Sequence, residues 1–75
     1  MLRLRMVTIY MPLLNEGTNV WRPVSAKHLA GDVYIVRDNV PDGEEWMFAT
    51  GSTVRCESMT LNAGTKVLAA VGIAD

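Results

Sequence analysis

Residues Thr53-Val54-Arg55-Cys56-Glu57 alternate polar and apolar with a period of two. That spacing puts Val54 and Cys56 on one face and Thr53, Arg55 and Glu57 on the other, the signature of a half-buried strand with Cys56 inside. Leu4 to Met11 is apolar on both faces, with Val7, Ile9 and Met11 on one and Leu4, Met6 and Tyr10 on the other. A strand of that kind is central, or is covered on its second face by a neighbour. Val33-Tyr34-Ile35-Val36 reads the same way. Val67 to Val71 is apolar but rich in alanine; Gly64 and Gly72 bracket it too closely for a long helix, so it reads as a strand.

Turn signals separate these runs: Asn15-Glu16-Gly17, Ala30-Gly31-Asp32, Pro41-Asp42-Gly43, Thr50-Gly51-Ser52 and Asn62-Ala63-Gly64. Each glycine among them stands alone at a turn, where a positive φ is the ordinary explanation and a phosphate loop is not. The pattern predicts strands near 4–11, 20–26, 32–37, 53–60 and 65–73, with 45–49 as a short sixth piece. Ser25 to Leu29 is the best helical candidate, a single turn at most. Short strands of β-branched and aromatic residues, evenly punctuated by turns, indicate an all-β fold. The expected architecture is a small SH3-like barrel of five to six short antiparallel strands, one domain over residues 1–75. Closure would remove the sheet edges that invite aggregation.

Composition changes that picture in one respect. The chain is 49% hydrophobic, and with its six Gly counted in and its two Tyr out the fraction is roughly 55%, against about 45–50% for an ordinary globular chain on that basis. A chain of 75 residues buries only about 60% of the surface it exposes when unfolded. Apolar surface is therefore expected outside, or covered by a second molecule. The net charge of −1 argues against a general nucleic-acid binder. Residues 1–37 carry +3 and residues 38–75 carry −4, an asymmetry that interleaved strands would blur.

Cys56 is the single cysteine, so no intrachain disulfide and no paired-cysteine metal or redox motif can form. A lone thiol fits a reducing cytoplasm. Arg3 and Arg5 precede an apolar stretch, but Thr8, Tyr10 and Pro12 interrupt it and no small-residue cleavage site follows, so a signal peptide is not expected. No run reaches the roughly 18 apolar residues of a membrane span.

Two clauses hold both tryptophans, the only Phe and the only Cys: Glu16 to Val24, with Trp21-Arg22-Pro23-Val24, and Glu44 to Glu57, with Glu44-Glu45-Trp46-Met47-Phe48. Leu14, Glu16 to Thr18, Trp21 to Val24, Gly31, Tyr34, Glu44, Trp46, Phe48, Gly51, Val54 and Cys56 follow the pattern Leu-x-Glu-Gly-Thr-x-x-Trp-Arg-Pro-Val, Gly-x-x-Tyr, Glu-x-Trp-x-Phe-x-x-Gly-x-x-Val-x-Cys. Over about residues 8 to 57 the chain resembles a group of small uncharacterised bacterial proteins that share this pattern. The resemblance implies a compact product of an accessory gene, such as a mobile gene cassette, and carries no named activity.

Candidate chemistry is sparse. Cys56 and His28 are the only candidates for nucleophilic catalysis; the plainer reading is a core cysteine and a surface histidine near a turn. Asp38, Asp42, Glu44 and Glu45 form an acidic loop. The EF-hand spacing fails there, with Val40 where the second acid should be and Ala49 where the twelfth-position Glu should be, and the plainer reading is a solvated hairpin loop. One His and one Cys are too few for a zinc site. Trp21 and Arg22 are the candidate binding residues, since Trp and Arg dominate interface hot spots. In the competing reading Trp21 caps one end of the barrel and Arg22 is solvated. Pro23 lacks a backbone donor and places this segment at an edge or bulge.

The expectation from sequence is a non-enzymatic binding or assembly module, with no catalytic residues, cofactor or metal. It self-associates as a homo-oligomer through the face of Leu4, Met6 and Tyr10, or docks a protein partner. The alternative is a nucleic-acid or small-ligand binding barrel.

Overall fold

The computed structural model describes residues 6–15, 20–61 and 63–74. Leu4, Glu16 to Asn19 (with Glu16-Gly17 of the first expected turn) and Asn62 lie outside the described residues. Five strands follow in order: β1 (Met6–Pro12), β2 (Trp21–Ala30), β3 (Val33–Val36), β4 (Thr53–Thr60) and β5 (Lys66–Ile73). Each pairs antiparallel with the next, and β1 meets β5 to close a barrel. The expected all-β barrel is present. The closing seam is parallel, through Tyr10 and Ala69. An up-and-down meander with an odd number of strands returns its last strand in the direction of its first, so one parallel pair is unavoidable.

The period-two pattern decides what fills the interior. Ile9 and Met11 of β1, Val24 and Ala26 of β2, Tyr34 and Val36 of β3, Val54 and Cys56 of β4 and Ala70 of β5 are buried together, with Val7, Leu13 and Leu68 packed against them. Two β-bulges bend the sheet into closure. One leaves Leu29 without a ladder partner between His28 and Ala30, and the other does the same to Val71 opposite Arg55 and Cys56. A bulge residue leaves the alternation, which is why Leu29 and Val71 are exposed although they are large and apolar. At the β2–β3 turn Gly31 takes a φ of 53°, a left-handed conformation that glycine adopts at little cost.

Two local expectations change. Ser25 to Leu29 is not a helical turn. Ala26, Lys27 and His28 pair with β1 or β3 or both, and Ala26 is wholly buried. Two flanking ladders and an inward alanine outweigh a weak helical preference. The piece at 45–49 is not a sixth strand but a single antiparallel bridge between Leu13 and Trp46.

That segment matters for another reason. Residues 37–52 connect β3 to β4, and the connection plugs the barrel end where β1 finishes and β2 begins. Trp46 and Phe48 are both buried in the core. Backbone bonds fix the plug: Met47 N–H donates to Pro12 O at 3.0 Å, Leu14 N–H to Glu45 O at 2.7 Å and Gly51 N–H to Val36 O at 2.8 Å. Thr50 Oγ1 donates to Asp38 O at 2.6 Å.

The plug should carry a large share of the stability. Trp46→Ala is expected to cost about 3–5 kcal/mol, close to the whole stability of a small domain. Trp46→Phe keeps most of the apolar volume and should cost about 1–2 kcal/mol. Urea unfolding measures both, and a Trp46→Ala protein with an unchanged midpoint would place the indole outside the core.

Candidate binding face and groove

Arg22 has the phase of a core residue. It pairs with Met11, which is wholly buried, and the next inward residue on its strand is Val24. At the barrel end it meets the plug instead of the core. Its guanidinium forms a bidentate pair with Glu44, with Nε 2.7 Å from Oε1 and 2.8 Å from Oε2, and NH2 also bonds to Oε2. Glu44 Oε1 also accepts the Trp46 Nε1–H at 3.0 Å. A buried indole donor needs a partner, and here one carboxylate serves both it and the arginine. Arg22 and Trp46 hold the Glu44 carboxyl below the usual 4.5, and the same bonds hold Arg22 above its usual value.

Trp21 has the opposite phase, so it does not cap the barrel. It pairs with Pro12 on the outer face and is half-buried. The expected separation of Trp21 and Arg22 onto two faces holds for their strand positions. Around the barrel end both nevertheless line one open groove of about 390 Å³, with Leu13, Val20, Pro23 and Glu44.

The groove continues into an outer face. Opposite residues on adjacent strands share a face, and the outward pairs of β1 and β2 are Met6–Lys27, Thr8–Ser25, Tyr10–Pro23 and Pro12–Trp21. Met6 is 49% exposed and Pro23 is exposed. These apolar groups lie on the solvent side of a closed barrel, where the core makes no use of them.

The remaining edge of β2 cannot add another strand easily. Ser25 N–H points away from β1 and donates to Asp38 Oδ2 at 2.8 Å. Pro23, two residues earlier, faces the same way and has no N–H to offer. A carboxylate and a proline thus blunt the edge, leaving the sheet face as the available surface.

The other candidates have structural employment. Cys56 is buried, and burial with nearby Asp32 pushes its thiol up to about 11, which leaves a protonated, poor nucleophile at neutral pH. His28 is not a free surface residue. It is half-buried and stacks on Tyr34 at 4.7 Å between ring centres, and its Nε2–H donates to Gly31 O at 2.7 Å. Burial raises the Tyr34 hydroxyl pKa, helped by Cys56 and Asp32. Of the acidic loop, Asp38 caps Ser25, Glu44 holds the plug and Glu45 Oε1 accepts from Asn15 Nδ2 at 2.7 Å. Asn15 adopts a φ of 61°, which asparagine tolerates better than most residues. Among the described residues, no three His, Cys, Asp or Glu side chains gather as a metal site, and no helix is long and apolar enough to cross a membrane.

Sequence reasoning named Trp21 and Arg22 but missed the partners that place them. Glu44 appeared as one of four loop acids and as a position of the Glu-x-Trp-x-Phe pattern, neither of which ties it to Arg22, and Pro12 and Lys27 join the site only through the β1–β2 register.

Two outcomes follow. The bonds to Glu44 are strongest while it is ionised. Its folded pKa lies below the ordinary 4.5, so its contribution is full above that value and is lost as pH falls through the folded pKa. Glu44→Gln should therefore be less stable than wild type at pH 7, with the gap closing as pH falls below the ordinary 4.5 in urea titrations. A gap that persists unchanged at low pH contradicts this role. Thiol labelling of native Cys56 at neutral pH should be far slower than in the unfolded chain, and rapid stoichiometric labelling would restore the catalytic reading. No protein-family model, curated protein or solved structure matches the chain.

Proposed function

We propose that this protein is a non-enzymatic binding module that docks another protein surface on the outer face of β1 and β2. The observation that carries the reading is the row Met6, Tyr10–Pro23 and Pro12–Trp21 on the solvent side of the barrel, running into the groove beside Arg22. Apolar surface gathered on one face, beside a Trp and an Arg, is the usual makeup of a protein interface. The poor catalytic inventory and the inert setting of Cys56 fit the same reading, and a cytoplasmic location fits the single thiol.

The nucleic-acid alternative is weaker. Phosphate contacts need free cations, and two of the arginines are engaged by carboxylates, Arg22 by Glu44 and Arg55 by Glu57.

Photo-crosslinking in cells tests the face directly. A benzoylphenylalanine in place of Met6 should give discrete protein adducts. The same group in place of Glu57, on the outer face of β4, should give few. Equal yields at the two positions contradict the assignment.

A further inference from the structure

We infer that the occupant of the β1–β2 face is a second copy of this chain, related by a two-fold axis that crosses the face near Thr8 and Tyr10 and lays each end of the row on the opposite end of its partner. The inference rests on the binding reading above and adds the partner and its orientation.

The charges at the two ends of the row carry the argument. At the Met6 end stands Lys27, the cross-strand partner of Met6. At the Pro12 end stands Glu45, whose backbone carbonyl accepts the N–H of Leu14. The ion pairs among the described residues are Arg22–Glu44 and Arg55–Glu57. Lys27 and Glu45 enter neither, so the row has a basic end and an acidic end.

The distance between the ends matters. Met6 to Pro12 spans about 20 Å at roughly 3.4 Å per strand residue. That exceeds the Debye length of about 8–10 Å at physiological salt, so a docked surface meets each end separately. A partner of one sign is attracted at one end and repelled at the other. A second copy turned through 180° is attracted at both, because its Glu45 meets Lys27 and its Lys27 meets Glu45. A two-fold interface of this kind is self-complementary and closed, and Tyr10 and Pro23 beside the axis would pack across it on the partner's face. A net charge of −1 puts little general repulsion between copies. The blunted edge of β2 disfavours the competing route of edge-to-edge strand addition.

Charge reversal tests the orientation. Lys27 takes no part in the core or the Glu44 bonds, and Glu45→Lys gives up one exposed bond, from Asn15 Nδ2, so both variants should fold, which thermal unfolding checks. Sedimentation of the wild-type chain should give a mass near twice 8.3 kDa at about 100 μM, a concentration at which even a modest self-affinity populates the dimer. Lys27→Glu and Glu45→Lys should each raise the dimer dissociation constant about tenfold, since a two-fold axis repeats each lost contact and turns attraction into repulsion. The double variant should return to within about threefold of wild type, because the swapped charges face one another again. An associating chain indifferent to both reversals, or a double variant weaker than either single one, overturns the orientation and leaves the binding face standing. A monomeric wild type whose Met6 adducts contain only foreign proteins overturns the second copy as occupant. A monomer that also gives no adducts above the Glu57 control removes the binding reading itself.

Discussion

A five-stranded barrel of this size cannot close its own end. The strands supply a ring of inward side chains, but where β1 finishes and β2 begins the ring opens onto solvent, and the connection between β3 and β4 must fill it. Trp46 and Phe48 do so. The indole brings a polar N–H into the boundary of the core, and an unpartnered donor there costs free energy of order 1–3 kcal/mol. Glu44 accepts it. Arg22 reaches across the barrel end to pair with the same carboxylate. Strand, plug and surface groove are thus tied through one carboxylate.

The same tie shapes the surface. Arg22 spends its inward phase on the plug, which leaves Trp21 on the outer phase against Pro12. Much of the interior is then filled by small or medium side chains, among them Ala26, Ala70, Val24, Val54 and Cys56. The excess apolar content of the sequence goes elsewhere: to bulge residues Leu29 and Val71 and to the outer row of β1 and β2. Pro23 and Asp38 guard the exposed edge of β2 while its face stays open. An architecture that blocks edge pairing but leaves an apolar face beside a Trp suits a module that docks by its face.

Much of the fold was legible because alternation is a direct record of burial. Val54 and Cys56 point inward as their spacing predicts, and β3, β4 and β5 fall within a residue or two of their expected bounds. The failures share a cause. Residues 25–29 read as a turn of helix because local preference cannot register two neighbouring ladders. Residues 45–49 read as a strand because Trp46 and Phe48 have strand-like spacing, and a plug uses that spacing too. His28 read as a surface group because its stack on Tyr34 exists only once β2 and β3 pair. The site was half legible. Trp21 and Arg22 stood out by residue type, whereas Glu44, Pro12 and Lys27 belong to it through register and loop closure, which no spacing rule encodes.

The central claim is that Glu44 joins the buried indole of Trp46 to Arg22 and so holds the plug in the barrel end. The two indole N–H resonances of Trp21 and Trp46 report on it directly, followed by proton NMR through hydrogen exchange and an acid titration. The account predicts that the Trp46 signal exchanges slowly and shifts with a single midpoint below pH 4.5, the ordinary value for Glu44, and that Arg22→Ala moves that midpoint upward. The Trp21 signal should show no such titration. Two indoles that exchange equally fast, or a Trp46 signal that ignores acidification, would contradict it.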